Sequence, residues 1–115
     1  MKFLLSGCVT GPEIDGKPLH FFNTEWNRQI AVDVVGKMAE KCQQFQDVCW
    51  GIGVLNEPQP SGNGSSPTNS ELHEFLDLYY EEAIIRVRET MPWDFPVVLY
   101  SWIYDFWRWR DNRQV

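Results

Sequence analysis

The sequence predicts an α/β fold, in which helices and strands alternate along the chain. Residues 25–45 and 70–90 have apolar residues at helical spacing, and each stretch precedes a short apolar run, at 48–55 and 96–101. Strands joined by helical crossovers lie parallel, and such a crossover is right-handed. The alternation therefore predicts the α/β class, and the pattern alone leaves a doubly wound sheet and a closed barrel as alternatives.

Length and composition limit the chain to one small globular domain. Its 115 residues are 43% hydrophobic and 23% charged, which is ordinary globular usage. Ten Lys and Arg residues against 16 Asp and Glu residues give a net charge of −6, whereas phosphate binding needs a basic surface. No apolar run approaches the roughly 18 residues of a membrane-spanning helix. We therefore expect neither a nucleic acid nor a membrane as partner.

The first part of the chain predicts a short strand end, a long loop and then a helix. Apolar residues at 3–5 indicate the strand end, and glycine and proline recur through the rest of residues 1–23. Asn23 or Thr24 can cap the helix at 25–45. Its apolar stripe is predicted to consist of Trp26, Ile30, Val34, Met38, Cys42 and Phe45.

The run at 48–55 predicts a strand buried on both faces, because it is apolar and almost uncharged. An Asn-Glu-Pro sequence at 56–58 ends it, and a polar loop follows at 59–69. Gly51 and Gly53 lie within the predicted strand and a third glycine is missing, so a dinucleotide-binding turn is not expected.

The second helix, at 70–90, has a clear division between an apolar and a charged face. The apolar face is predicted to contain Leu72, Phe75, Leu76, Tyr79, Ala83 and Val87. On the other side Glu82 and Arg86 form an i,i+4 pair of favourable polarity, so we expect a solvated face there and no site. The second strand follows at 96–101, and residues 102–115 are compatible with another helix or a loop.

The three cysteines, Cys8, Cys42 and Cys49, match no zinc-binding spacing, so no metal site is expected. Cys42 and Cys49 lie on either side of the turn between the first helix and the strand at 48–55. They can pair in an oxidising compartment or remain two buried thiols, and the sequence leaves both alternatives open.

The strand end at Glu57 is where chemistry is expected first, because α/β proteins bind ligands beyond the carboxyl ends of their strands. Glu57 precedes a proline, which favours extended backbone. A carboxylic acid held over an apolar site keeps its proton more readily and can act as a general acid. From the residues alone, Glu57 is either such a group or an ordinary residue of a surface loop.

The stretch from Trp50 to Pro58, Trp-Gly-Ile-Gly-Val-Leu-Asn-Glu-Pro, resembles the acid/base strand of glycoside hydrolase family 5. The resemblance covers roughly residues 6–109 and is closest to the fungal-type exo-1,3-β-glucanases, and its specific part is the Asn-Glu-Pro core. It implies that residues 1–115 are a partial catalytic domain. The fold would then be a fragment of a (β/α)8 TIM barrel, with about strands three to five and helices three and four.

The resemblance also implies a reaction, namely hydrolysis of O-glycosidic bonds in a β-glucan or its oligosaccharides by a retaining mechanism. Glu57 would be the acid/base, and Asn56 would bind the 2-hydroxyl of the sugar. Trp102 and Tyr104 would contact the substrate, or else pack beneath neighbouring barrel elements. No cofactor or metal is implied, and secretion is expected for the family.

A retaining mechanism needs a second carboxylate about 5–5.5 Å from the first, and the family supplies it from barrel strand seven. The glutamates after Glu57 fall on the helix at 70–90. We therefore expect this chain alone to be inactive and to need missing barrel segments for a complete site. Two alternatives remain, a non-catalytic carbohydrate-binding remnant and an unrelated α/β interaction module.

Overall fold

The computed structural model describes residues 3–6, 25–55 and 69–100. These residues confirm the predicted α/β class. The elements, in chain order, are β1 (Phe3–Ser6), α1 (Glu25–Gln43), β2 (Cys49–Gly53), α2 (Asn69–Arg88) and β3 (Val97–Val98). The helices occupy the predicted positions, whereas the strand predicted at 96–101 is paired over two residues only.

The three strands form one parallel sheet in the order β1-β2-β3. In the centre of this sheet, Ile52 of β2 is aligned with Leu5 on one side and Val97 on the other. The register of β1 and β2 shifts by one residue at Trp50, which is 50% exposed. The predicted burial of this strand on both faces is therefore wrong at Trp50 and correct further along β2.

Both helices lie on the same face of the sheet, since they contact each other directly. Arg28 of α1 forms an ion pair with Glu82 of α2 at 3.1 Å, and Arg86 of α2 lies 3.7 Å from Asp33 of α1. Successive strands are added in one direction while the connecting helices stay on one side. Over the described residues the sheet is therefore wound in a single direction.

The buried face of α1 overlaps the predicted stripe only toward the end of the helix, where Cys42 is buried and Met38 packs against the core. Trp26, Ile30 and Val34 are exposed, and Phe45, just after the helix, is exposed as well. The buried residues of α1 are Ala31, Val32, Val35, Gly36, Ala39 and Cys42. Small residues occupy this face because they allow the helix to approach the sheet closely, whereas the bulkier apolar residues remain on the neighbouring stripe.

The apolar face predicted for α2 is confirmed where side chains are described. Leu76, Tyr79, Ala83 and Val87 are buried, and Phe75 packs against the core. One further residue of α2 is buried that the predicted face did not include. This residue is Tyr80, at 2% exposure.

The predicted Glu82–Arg86 pair is wrong. Glu82 instead accepts hydrogen bonds from Arg28 and Gln29 of α1, and Arg86 pairs with Glu89, one turn further along α2. The Glu82 side chain points toward α1, because α1 lies against this side of α2. The Arg86 side chain extends along α2 toward Glu89. Part of the face expected to be solvated is therefore an interhelical contact. Neither described helix is long and apolar enough to cross a membrane.

Candidate functional site

The sheet has two edges of different construction, which we call the carboxyl edge and the amino edge. At the carboxyl edge the chain leaves β2 through Val54 and Leu55, and leaves β3 through Leu99 and Tyr100. Val54 and Leu55 are completely buried. Because parallel strands end at the same edge, these two exits are neighbours, and this is the edge at which α/β proteins bind ligands.

The four residues that the sequence singles out, Asn56, Glu57, Trp102 and Tyr104, lie outside the described residues. Asn56 and Glu57 come directly after the exit of β2 in the chain, and Trp102 follows Tyr100 by two positions. The structure thus gives the two strand exits that lead to them. The predicted roles of the four residues stay predictions.

Two consecutive tyrosines of α2 bind the two exits, one each. The hydroxyl of Tyr79 donates a hydrogen bond of 2.6 Å to the carbonyl oxygen of Val54, and the hydroxyl of Tyr80 donates one to the carbonyl oxygen of Tyr100. Both tyrosines are almost completely buried. We call Tyr79 and Tyr80 the tyrosine pair.

Burial explains why the tyrosine pair makes these contacts. A phenol removed from water must find a hydrogen-bond partner, and a backbone carbonyl beyond the end of a strand has lost its ladder partner. Burial also raises the pKa of Tyr80 well above its usual range, so its hydroxyl keeps the proton that it donates. The two rings lie 5.8 Å apart between centroids and are tilted by 45°.

The sequence predicted Tyr79 as a core residue and missed Tyr80, and it gave neither tyrosine a role at the site. One signal was present, since a buried tyrosine needs an acceptor and the open carbonyls of an α/β domain lie at its strand ends. Two adjacent tyrosines in one helix therefore pointed to two acceptors on different elements.

The amino edge is held together by different chemistry. Cys42 at the end of α1 and Cys49 at the start of β2 form a disulfide, with Cα atoms 5.6 Å apart, so the paired alternative is the correct one. Arg88 at the end of α2 donates hydrogen bonds of 2.8 Å to the carbonyl oxygens of Pro92 and Phe95, in the loop that leads to β3.

A small cavity of about 210 Å³ opens at the amino edge, where Cys49, Met91 and Phe95 form part of its wall. It lies away from the strand exits. Within residues 25–55 and 69–100, no three His, Cys, Asp or Glu side chains gather closely enough to hold a metal ion.

The comparisons with known proteins found no relative of this chain. No family model, no curated protein and no solved structure matches the chain. The class that the structure itself defines is an α/β protein with a parallel sheet and two helices on one face.

Proposed function

We propose that this chain contributes the acid/base half of a retaining β-glycosidase site of the glycoside hydrolase family 5 type. The observation that supports the proposal best is the position of β2. Among the three described strands it is the middle one, its exit residues are buried, and the chain continues from them into the Asn-Glu-Pro sequence at 56–58. A carboxyl group that directly follows a strand of a parallel sheet belongs to the edge at which α/β proteins bind ligands.

The single winding direction supports a barrel fragment. In a (β/α)8 barrel each strand is added on the same side of the one before it, and all helices lie outside. One half of a doubly wound sheet has the same pattern, but its nucleotide-binding form needs a glycine-rich turn after a strand. Gly51 and Gly53 lie inside β2 and not after it, so these two glycines do not form such a turn.

The exposed stripe of α1 also supports a larger assembly of helices. Trp26, Ile30 and Val34 recur every four residues, so they share one side of the helix, and all three are exposed. Helix α2 contacts α1 through other residues, among them Arg28 and Asp33. A barrel helix has a neighbour on each side, and the proposal assigns this stripe to barrel elements beyond the described residues.

In the proposed reaction Glu57 protonates the glycosidic oxygen as its bond to the sugar breaks, and later takes a proton from the attacking water. Asn56 binds the 2-hydroxyl of the sugar, and Trp102 and Tyr104 offer ring faces to the substrate. The proposal takes the nucleophilic carboxylate from a later barrel strand, as the family resemblance implies, and none of the four described exit residues, Val54, Leu55, Leu99 and Tyr100, is acidic.

Sugar binding by the 115-residue chain is the first test. Titration with laminaripentaose, a β-1,3-glucan oligosaccharide, should change the tryptophan fluorescence and saturate, with a Kd on the order of 1 mM. Asn56→Ala should weaken binding about fivefold, because one hydrogen bond to the sugar is lost. Glu57→Gln should leave the Kd within about twofold, because the side chain keeps its size and one carbonyl oxygen.

Gln44→Ala and Glu74→Gln are the matched controls, because both residues are exposed and lie on or beside the helices. Neither control should change the Kd. A folded chain that binds neither laminaripentaose nor cellopentaose contradicts the proposal and favours an α/β interaction module.

Catalysis is tested in the protein produced from its complete reading frame. That protein should release reducing sugar from a β-glucan, and Glu57→Gln should abolish the release while the Kd for laminaripentaose stays the same. Sugar binding without any hydrolysis that depends on Glu57 would instead support a non-catalytic binding protein.

A further inference from the structure

We propose that Tyr79 and Tyr80 are positioning residues for the candidate site, because they fix the exits of β2 and β3 to the same turn of α2. The inference rests on the proposed function, since it concerns the two exits from which Glu57 and Trp102 follow. Neither tyrosine is proposed to touch the sugar.

The place at which the tyrosine pair binds supports this role. The last backbone hydrogen bond between β2 and β3, among the described residues, runs from the Val54 amide to the Val98 carbonyl at 3.2 Å. Tyr79 binds the carbonyl of that same Val54, and Tyr80 binds the carbonyl of Tyr100, two residues further along the other exit. The pair therefore holds the chain just where pairing between the strands ends.

The geometry of a helix explains how one element reaches both exits. Consecutive residues of an α-helix point in directions about 100° apart, so adjacent tyrosines face different strands. Tyr79 faces the central strand and Tyr80 the strand beside it, and both side chains are buried in the core. Both hydroxyls are attached to one rigid helical turn and each binds one exit. The helix therefore fixes the distance between the two exits.

That distance matters for the proposed site because its groups come from both exits. An acid/base on one exit and a ring on the next must contact the same sugar, so a displaced exit weakens the contacts that hold the sugar. Loss of either hydroxyl should therefore weaken sugar binding more than its effect on overall stability explains.

The test compares Tyr79→Phe and Tyr80→Phe with Val87→Ala in the 115-residue chain. Each Phe variant keeps the buried ring and loses only the hydroxyl, whereas Val87→Ala removes buried volume from the same face of α2 near its C-terminal end. Under conditions where all three are folded, each Phe variant should raise the Kd for laminaripentaose about fivefold. Val87→Ala should change the Kd by less than about twofold, although it lowers stability more.

Hydrogen exchange of the Val54 amide gives a readout that does not require sugar. It should become faster in Tyr79→Phe by a larger factor than the core amides of α2, and Val87→Ala should not show this selectivity. The variant that combines Tyr79→Phe and Tyr80→Phe should have a Kd for laminaripentaose close to that of either single variant, because the two hydroxyls act as one unit.

The two proposals fail in different ways. If the wild-type chain binds no β-glucan oligosaccharide while Val54 exchange is selectively faster in Tyr79→Phe, the proposed function is wrong and the fixing of the exits stands. If the chain binds sugar and the Phe variants behave like Val87→Ala in both readouts, the positioning role is overturned.

Discussion

The two edges of the sheet are fastened by interactions of different strength. At the amino edge a disulfide joins Cys42 to Cys49, and the guanidinium of Arg88 binds two backbone carbonyls. At the carboxyl edge two neutral hydrogen bonds from Tyr79 and Tyr80 hold the strand exits. A covalent bond and a charged hydrogen-bond donor thus act at one edge, and uncharged groups at the other.

Under the proposed function, this difference separates stability from function within a small domain. In α/β barrels the same division holds, since residues at the amino ends of strands serve stability and those at the carboxyl ends serve the site. Perturbing each edge separately therefore shows whether the division holds in this chain.

Removal of the disulfide should give the largest effect. Cys42 and Cys49 are seven positions apart, and closing a loop of this size stabilises the folded chain by about 2.5 kcal/mol through the lost entropy of the unfolded chain. Reduction should therefore lower the free energy of unfolding by that amount in urea titrations. The Kd of the remaining folded protein for laminaripentaose should stay the same, because the disulfide lies at the opposite edge.

Two variants make this prediction specific. Cys42→Ala combined with Cys49→Ala should reproduce the effect of the reductant and should no longer respond to it. Cys8→Ala should leave the stability difference between oxidised and reduced protein unchanged. If reduction weakened sugar binding as strongly as stability, the two edges would not be separable.

Arg88→Met should have the next largest effect. The replacement keeps an unbranched apolar stem but removes two hydrogen bonds of 2.8 Å and the stacking of the guanidinium over Trp93, 5.3 Å from the ring centroid. The buried Nε of Arg88 has no hydrogen-bond partner among the described atoms. Its removal therefore recovers part of the free energy of unfolding that the lost hydrogen bonds cost. We expect the free energy of unfolding to fall by about 1.5 kcal/mol.

Arg86→Met is the control for Arg88→Met, because it lies on the same helix and its ion pairs are largely exposed. Such pairs contribute about 0–1 kcal/mol, so this variant should be nearly as stable as the wild type. Equal losses in both variants would mean that the carbonyl contacts of Arg88 add nothing to the amino edge.

Periodicity was enough to predict the order of the elements but not the rotation of α1. Apolar residues of that helix occupy two adjacent stripes, one containing Trp26 and Ile30 and the other containing Ala31 and Val35. A pattern based on hydrophobicity favours the bulkier stripe. Which stripe is buried depends on how closely the helix must approach the sheet and on the disulfide of Cys42, and neither is visible in a single periodic pattern.

The candidate site was predictable in part. That Glu57 follows a buried strand could be predicted from a short apolar run and the residues that end it, which are local signals. The contribution of Tyr80 could not be predicted, because its acceptor, the carbonyl of Tyr100, is 20 residues away in sequence and belongs to the backbone. Backbone acceptors have no sequence signature, so only the fold reveals which ones a side chain reaches.

High pH should destabilise the folded chain through Tyr80 at the carboxyl edge. In the unfolded chain Tyr80 loses its proton above pH 10, whereas burial raises its pKa in the folded protein, so the folded state keeps the proton. The stabilisation is complete below pH 10 and falls as the pH rises further, by up to about 1.4 kcal/mol per pH unit. Urea titrations of wild type and Tyr80→Phe at pH 8 and pH 11 should show a steeper loss in the wild type.

The difference between the two proteins isolates Tyr80, because the two chains share every other ionisable group. A constant difference between wild type and Tyr80→Phe from pH 8 to pH 11 would mean that the hydroxyl is not buried. Addition of reductant should shift both curves equally, since the disulfide belongs to the other edge.

Gly36→Ala, in the middle of α1, should change the free energy of unfolding least. It tests the contact between the two helices, away from both edges of the sheet. A Cβ added at Gly36 would lie 2.5 Å from Nε of Arg86, so the Arg86 side chain must move and weaken its ion pairs with Asp33 and Glu89. These exposed pairs are worth about 0–1 kcal/mol, and an alanine gains about 1 kcal/mol of helix propensity over glycine. The two terms nearly cancel, so the free energy of unfolding of Gly36→Ala should differ from wild type by less than about 0.5 kcal/mol. A loss of more than about 1.5 kcal/mol would show that Arg86 cannot move, and that the contact between the helices is as firmly fixed as the amino edge.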